Sequence, residues 1–226
     1  MPTDPSAEAQ LSEDDGTALW LGPRQAEHRL VLLHGWGADA DDLLDLGAEL
    51  IGADPASLDL SVVALRAPLP HPGGFGRQWY DLQQPEWPQL PQARRDLRQR
   101  LLALGTTVPL ERTSLLGFSQ GAAMAIDVAT GGGADASAPL ALAGLIACSG
   151  YPHPDWRPQA PRTSILLTHG EQDPVVPFAA SQALERSLAE AGGSVQRIAF
   201  PGGHCIDPDL IATMRDFLFT GWRESG

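Results

Sequence analysis

Basic residues are scarce in this chain and cysteine is nearly absent. Arginine and lysine together number 15 against 28 aspartates and glutamates in 226 residues, a formal net charge of −13. So acidic a surface repels nucleic acid and anionic bilayers, which argues against both as partners. Only Cys148 and Cys205 are present, too few for a disulfide framework, and no C-x-x-C spacing points to zinc. Free thiols in a reducing cytosol, hence a cytoplasmic protein, are the expectation, with one bridge between the two left open. No internal repeat is visible. Met1 to Asp15 contain Asp4, Glu8, Glu13, Asp14 and Asp15 but no basic residue and no apolar run. A signal peptide needs both, so residues 1–16 read as a disordered tail. The longest apolar run, Pro139 to Cys148, is too short to span a bilayer, and no stable membrane insertion is expected.

What is present is a large apolar share, 43% of the residues, enough for a sizeable core in one domain over 17–226. Leu30 to Leu33 form a continuous apolar run, the mark of a strand buried on both faces. A weaker strand over Thr17 to Leu21 precedes it. Leu43, Leu46, Leu50 and Ile51 then recur at helical spacing behind Asp39, Asp41 and Asp42, which suit a helix start. Further strands are predicted over Ser61 to Ala67, Thr113 to Leu116, Leu140 to Cys148, Thr163 to Thr168 and Val195 to Phe200. Helices are predicted over Gln92 to Leu104, Ala122 to Ala129, Phe178 to Ala191 and Ile206 to Phe219. The alternation implies an α/β fold, a mostly parallel sheet with helices on both faces.

Gly117-Phe118-Ser119-Gln120-Gly121 lies between a predicted strand and a predicted helix, the context of a nucleophile elbow. So abrupt a turn strains the serine backbone, and the flanking glycines remove Cβ atoms that would clash. The helix N-terminus behind the serine offers free N–H groups and the positive end of a dipole. A serine needs a base, and the base needs an acid to orient it. Among six histidines, His28 precedes a strand and belongs at the wrong end of the sheet. His71 and His153 lie in proline-rich loops and read as surface residues. His34 and His169 precede glycines at strand ends and read as loop braces. His204 remains, in a glycine loop between the last strand and the last helix. Asp173, after a predicted strand and held in a turn by Pro174 and Pro177, is the favoured acid over Glu171. Asp207 and Asp209 read as caps of the last helix. Ser119, Asp173 and His204 stand in the chain order of an α/β-hydrolase. The backbone N–H groups of Gln120 and of Trp36, in His34-Gly35-Trp36-Gly37, are the candidate oxyanion donors.

These stretches, with Arg66-Ala67-Pro68, Gln78-Trp79-Tyr80-Asp81, Ser149-Gly150-Tyr151, His169-Gly170, Asp173-Pro174-Val175-Val176-Pro177 and Gly203-His204, resemble the phospholipase/carboxylesterase family of α/β-hydrolases, which includes the acyl-protein thioesterases. The resemblance runs from Leu30 to the C-terminus. It implies hydrolysis of a small-molecule carboxylic ester or thioester with no metal and no organic cofactor. Ala122 and Ala38 depart from the usual family pattern, where a glycine and an acidic residue are common.

The expectation is therefore a serine carboxylesterase acting through an acyl-enzyme. A thioesterase or lysophospholipase with the same triad is the nearest alternative, and a hydrolase-fold binding protein is an alternative outside enzymes. A small peptidase has no specific feature in its favour. A homodimer is left open. Ser149 to Arg162, 14 residues with four prolines, is too short for a cap domain, so the site should be open. The 24 residues from Pro68 to Pro91, with six prolines, read as an ordered loop whose Phe75, Trp79, Tyr80 and Trp87 wall an acyl site for short to medium chains. The plainer alternative is that Trp79 and Trp87 cover the core.

Overall fold

Four consecutive aliphatic residues make the centre of the sheet. Leu30 and Leu32 point to one face while Val31 and Leu33 point to the other, and all four are fully buried, as the two-residue period of a strand requires. The computed structural model describes residues 13–52, 58–131 and 138–225. Its strands are β1 (Glu13–Asp14), β2 (Ala18–Leu21), β3 (His28–Leu33), β4 (Leu60–Leu65), β5 (Leu69–Pro70), β6 (Arg77–Gln78), β7 (Thr113–Phe118), β8 (Gly144–Cys148), β9 (Ile165–Gly170) and β10 (Val195–Phe200). The helices are α1 (Asp41–Ile51), α2 (Leu90–Leu104), α3 (Gln120–Thr130), α4 (Ala179–Glu190) and α5 (Ile211–Glu224). Eight strands form one sheet in the order β1-β2-β4-β3-β7-β8-β9-β10, and β5 pairs with β6 apart from it. From β2 to β4 the pairing is antiparallel; from β4 through β10 it is parallel throughout.

One core packs between the sheet and α2, α3 and α4, and a second between the sheet and α1 and α5. The chain winds outward in one direction from β3 to β4 and in the other from β7 to β10. The direction therefore reverses between β3 and β7, where parallel sheets open a crevice at the carboxyl ends of their strands. No helix among the described residues is long and apolar enough to cross a membrane.

Several boundaries differ from expectation for local reasons. Of the tail expected over 1–16, residues 1–12 lie outside the described residues, while Glu13 and Asp14 pair with Trp20 and Leu19. The strand expected from Leu140 begins only at Gly144. Upstream, Leu140 N–H donates to Ala129 O and Leu142 N–H to the Thr163 hydroxyl, so these groups serve connections instead of a ladder. The last helix starts at Ile211, not Ile206, because Pro208 opens a 3₁₀ turn over Pro208–Leu210. Asp207 caps that turn, accepting from Asp209 N–H at 3.0 Å. Pro91, expected to close the long loop, sits instead in the first turn of α2, where its missing N–H costs nothing.

Candidate active site

The site is assembled by the loops that follow β3, β7, β9 and β10. At the end of β7 the chain turns into α3 within a single residue, and that residue is Ser119. Its φ of 54° and ψ of −118° lie in a region L-residues avoid, a strain of about 1–3 kcal/mol that the surroundings must hold. Two close approaches enforce the flanking glycines. A Cβ on Gly117 would press on Gly121 O, and one on Gly121 would run into the Leu33 carbonyl. All of α3 behind the serine is buried, so the elbow rests on a rigid helix.

His204 Nε2 lies 2.9 Å from Ser119 Oγ, and His204 Nδ1 lies 2.7 Å from Asp173 Oδ2. A carboxylate only accepts, so Nδ1 carries the proton and Nε2 accepts from the serine hydroxyl. The other Asp173 oxygen accepts from Val175 and Val176 N–H, each at 2.8 Å, and the side chain is wholly buried. Burial pushes the Asp173 carboxyl up, but the His204 hydrogen bond and the two backbone N–H groups outweigh it and hold the group below its ordinary value. Glu171, the rival acid, is exposed. The Phe118 ring packs on the His204 imidazole at 4.9 Å between centroids.

Gln120 opens α3, so its backbone N–H has no acceptor within the helix. The segment after β3 abuts Ser119: a Cβ on Gly35 would come within 3.3 Å of Ser119 Cβ. This brings Trp36 beside the elbow. The two candidate donors thus flank Ser119, at the reversal point of the sheet.

His34 and His169 are braces, as expected. His34 Nε2 accepts from Ala67 N–H at 3.0 Å, Nδ1 donates to Gly35 O at 2.8 Å, and burial lowers the imidazole's pKa. His169 donates from Nε2 to Val176 O at 2.9 Å, in the turn that carries Asp173.

The long loop needs correction. It is not a wall of four aromatics. Phe75 stands 86% exposed at the tip of the β5–β6 hairpin, Trp79 and Tyr80 are buried in the core, and Trp87 packs partly buried against it. For Trp79 and Trp87 the plainer alternative describes what is seen. The loop instead splints the site. Gly37 N–H donates to Arg77 O and Arg77 N–H to Ala38 O, at 2.9 and 2.8 Å, lacing the Trp36 segment to the hairpin. The Trp36 indole donates to Gln78 at 2.8 Å, and the Trp79 indole to His34 O at 2.9 Å.

His153, expected at the surface, is also corrected: it is 2% exposed. Tyr151 and Tyr80 hydroxyls lie 2.7 Å apart, the Tyr80 hydroxyl is 2.8 Å from His153 Nε2, and His153 Nδ1 bonds Asp127 of α3. Burial raises both tyrosine pKa values, that of Tyr151 to about 12. Arg94 of α2 donates to Asp127 at 2.6 Å and bidentately to Asp155 at 2.7 Å. The only sequence signal for this relay was a lone aspartate among the apolar residues of the elbow helix.

Between β8 and β9, residues 149–162 hold no helix or strand, so no cap covers the serine. A cavity of about 420 Å³ opens beside His204, bordered by the His34-Gly35 segment, α1 and the start of α5. Cys148 is buried and Cys205 exposed, and both are free.

The phospholipase/carboxylesterase family model matches residues 20–221. Esterase YpfH of Escherichia coli K12 is 31% identical over 203 residues, 86% of this chain and 83% of the relative. Acyl-protein thioesterase 1 of Neurospora crassa is 31% identical over 135 residues, 54% of this chain but only 51% of the relative, about half its length. Among solved structures, esterase PE8 superimposes with a TM-score of 0.76 at 28% identity, over 90% of this chain and 98% of that one. The α/β-hydrolase fold is common to these proteins and this chain.

Proposed function

The chain belongs to the phospholipase/carboxylesterase family of hydrolases, and from that premise we propose that it is a serine carboxylesterase for short- to medium-chain esters. The observation that carries the reading is the hydrogen-bonded series Ser119–His204–Asp173 at the carboxyl ends of β7, β10 and β9. Ser119 Oγ attacks the acyl carbon as its proton passes to His204 Nε2. Asp173 fixes the imidazole in the Nδ1–H form and stabilises its charged form. The Gln120 and Trp36 N–H groups hold the oxyanion, a contribution of about 10²–10³ in kcat for one such donor. The C–O bond to the alcohol breaks, and His204 returns the proton to the leaving oxygen. Water, activated by the same imidazole, then frees the acid from Ser119.

Nothing in this sequence of steps needs a group beyond the chain's own residues. With no helix or strand between β8 and β9, substrate reaches the serine from bulk water, and a rate jump at a lipid interface is not expected. The half-length match to an acyl-protein thioesterase favours a second reading, thioester hydrolysis by the same machinery. A hydrolase-fold binding protein would have little use for an intact proton relay. The test is a panel of p-nitrophenyl esters from acetate to palmitate, run beside acyl-CoA and lysophospholipid. Turnover of the short esters supports the reading, and preference for acyl-CoA would replace it with the second.

A further inference from the structure

The cavity beside His204 lies on the opposite side of the catalytic row from the aromatic loop. Trp79, Tyr80 and Trp87 belong to the core that faces α2, α3 and α4. The cavity is walled by Leu43, Leu46, Phe118, Ile206 and Ile211, which belong to or pack against the core facing α1 and α5. His204 and Cys205 also line it, as do Asp42 and Glu49, both exposed. No arginine lines it.

We infer that this cavity receives the alcohol portion of an uncharged ester, an assignment that rests on the serine-esterase reading above. The argument is one of proton transfer. The proton taken from Ser119 must be returned to the leaving oxygen, which therefore sits within about 3 Å of His204 Nε2 in the breaking intermediate. A group attached to that oxygen extends along the imidazole, and the space open there is the α1/α5 cavity. Its aliphatic walls suit a hydrocarbon. The Asp42 and Glu49 carboxylates, in a lining that holds no arginine, repel an anionic leaving group such as coenzyme A. The site thus selects neutral, apolar alcohols.

Two ester series separate the sides of the substrate: acetates of ethanol, butanol and hexanol, and ethyl esters of acetic, butyric and hexanoic acids. In the alcohol series kcat/KM should rise about fourfold per methylene until the cavity is full. Leu46→Trp, which fills the cavity from α1, should flatten that rise and leave the slope of the acyl series in place. Hexyl acetate should exceed the anionic 6-acetoxyhexanoate on the order of tenfold, and the double variant Asp42→Asn/Glu49→Gln should shrink this ratio. Should the tryptophan fail to fold, Ile206→Trp fills the same space from the other wall. In the wild-type protein, 1-hexanol should also slow alkylation of Cys205 by N-ethylmaleimide. A flattened acyl series with an unchanged alcohol series would place the acyl chain in the cavity and overturn the assignment. Two unchanged series in a variant that a small fluorophosphonate still labels at Ser119 would remove the cavity from the reaction. A wild-type protein that takes no fluorophosphonate at Ser119 would instead overturn the esterase mechanism, and the assignment with it.

Discussion

The Gln120 side chain clips the backbone that runs from Trp79 into Tyr80: Oε1 accepts from Trp79 N–H at 2.9 Å, and Nε2 donates to Tyr80 O at 2.8 Å. The residue after the serine therefore ties the elbow to the loop that splints the Trp36 segment. Gln120→Leu keeps the volume but orphans a buried N–H and a buried C=O, each worth about 1–3 kcal/mol. Urea unfolding should show that loss, and kcat should fall more than KM changes.

Ser119→Ala should abolish ester hydrolysis while the protein remains folded. A fluorophosphonate probe should label Ser119 and no other residue, read by peptide mass spectrometry. Substantial turnover by the alanine variant would rule out the serine as nucleophile.

Asp173→Asn should lower kcat by about 10⁴, the scale known for loss of the triad acid; Glu171→Gln, at an exposed site, should cost little. The reverse order would identify Glu171 as the acid. The same residue shapes acid stability. A carboxyl whose pKa is lowered by folding stabilises the fold above its unfolded value of about 3.9, and that contribution disappears as pH falls through the lower folded value. Asp173→Asn should thus lose stability at neutral pH and show a shallower decline below about pH 4 than the wild type, measured by thermal melts across pH.

Asp127→Asn removes the charge that Arg94 and His153 share on the face of the sheet covered by α2 and α3. An uncompensated buried partner costs about 3–5 kcal/mol, softened here because Arg94 keeps Asp155. Denaturant unfolding should show a loss toward the low end of that range. A stability change near zero would mean that Asp155 alone neutralises Arg94.

Cys148 and Cys205 should react very differently. Burial raises the Cys148 thiol pKa to about 12, and no reagent reaches it; Cys205 is exposed. Native alkylation should modify Cys205 alone, with Cys148 following only in denaturant.

The meeting of Ser119, His204 and Asp173 at one end of the sheet was legible in the sequence because each follows a strand, and strands buried on both faces announce themselves as aliphatic runs. His34 and His169 follow strands as well, so Ser119, Asp173 and His204 were placed with the help of the elbow motif, the glycine loop and the chain order. The loop from Pro68 to Pro91 was not, because an aromatic ring suits a pocket wall and a core equally well. Only the main-chain bonds of Arg77 and the clip on Trp79 decide, and those depend on partners far along the chain. His153 was misplaced for a related reason. A histidine among prolines resembles a surface residue until the aspartate one helix away is brought against it. The cavity beside His204 left no signal, since its aliphatic lining comes from α1, the end of β7 and the chain leading into α5.

Ser119 stands at the end of β7, a strand whose side chains enter one core above the sheet and another below it. Side chains of α1 and α5 on one face share no packing layer with those of α2 and α3 on the other. Free-energy effects of changes at distant sites without common partners add to within about 0.3–0.5 kcal/mol. Side chains of α1 and α5 can therefore drift in a lineage, or be tuned by an engineer, separately from those of α2 and α3, because a loss on one face need not be repaired on the other.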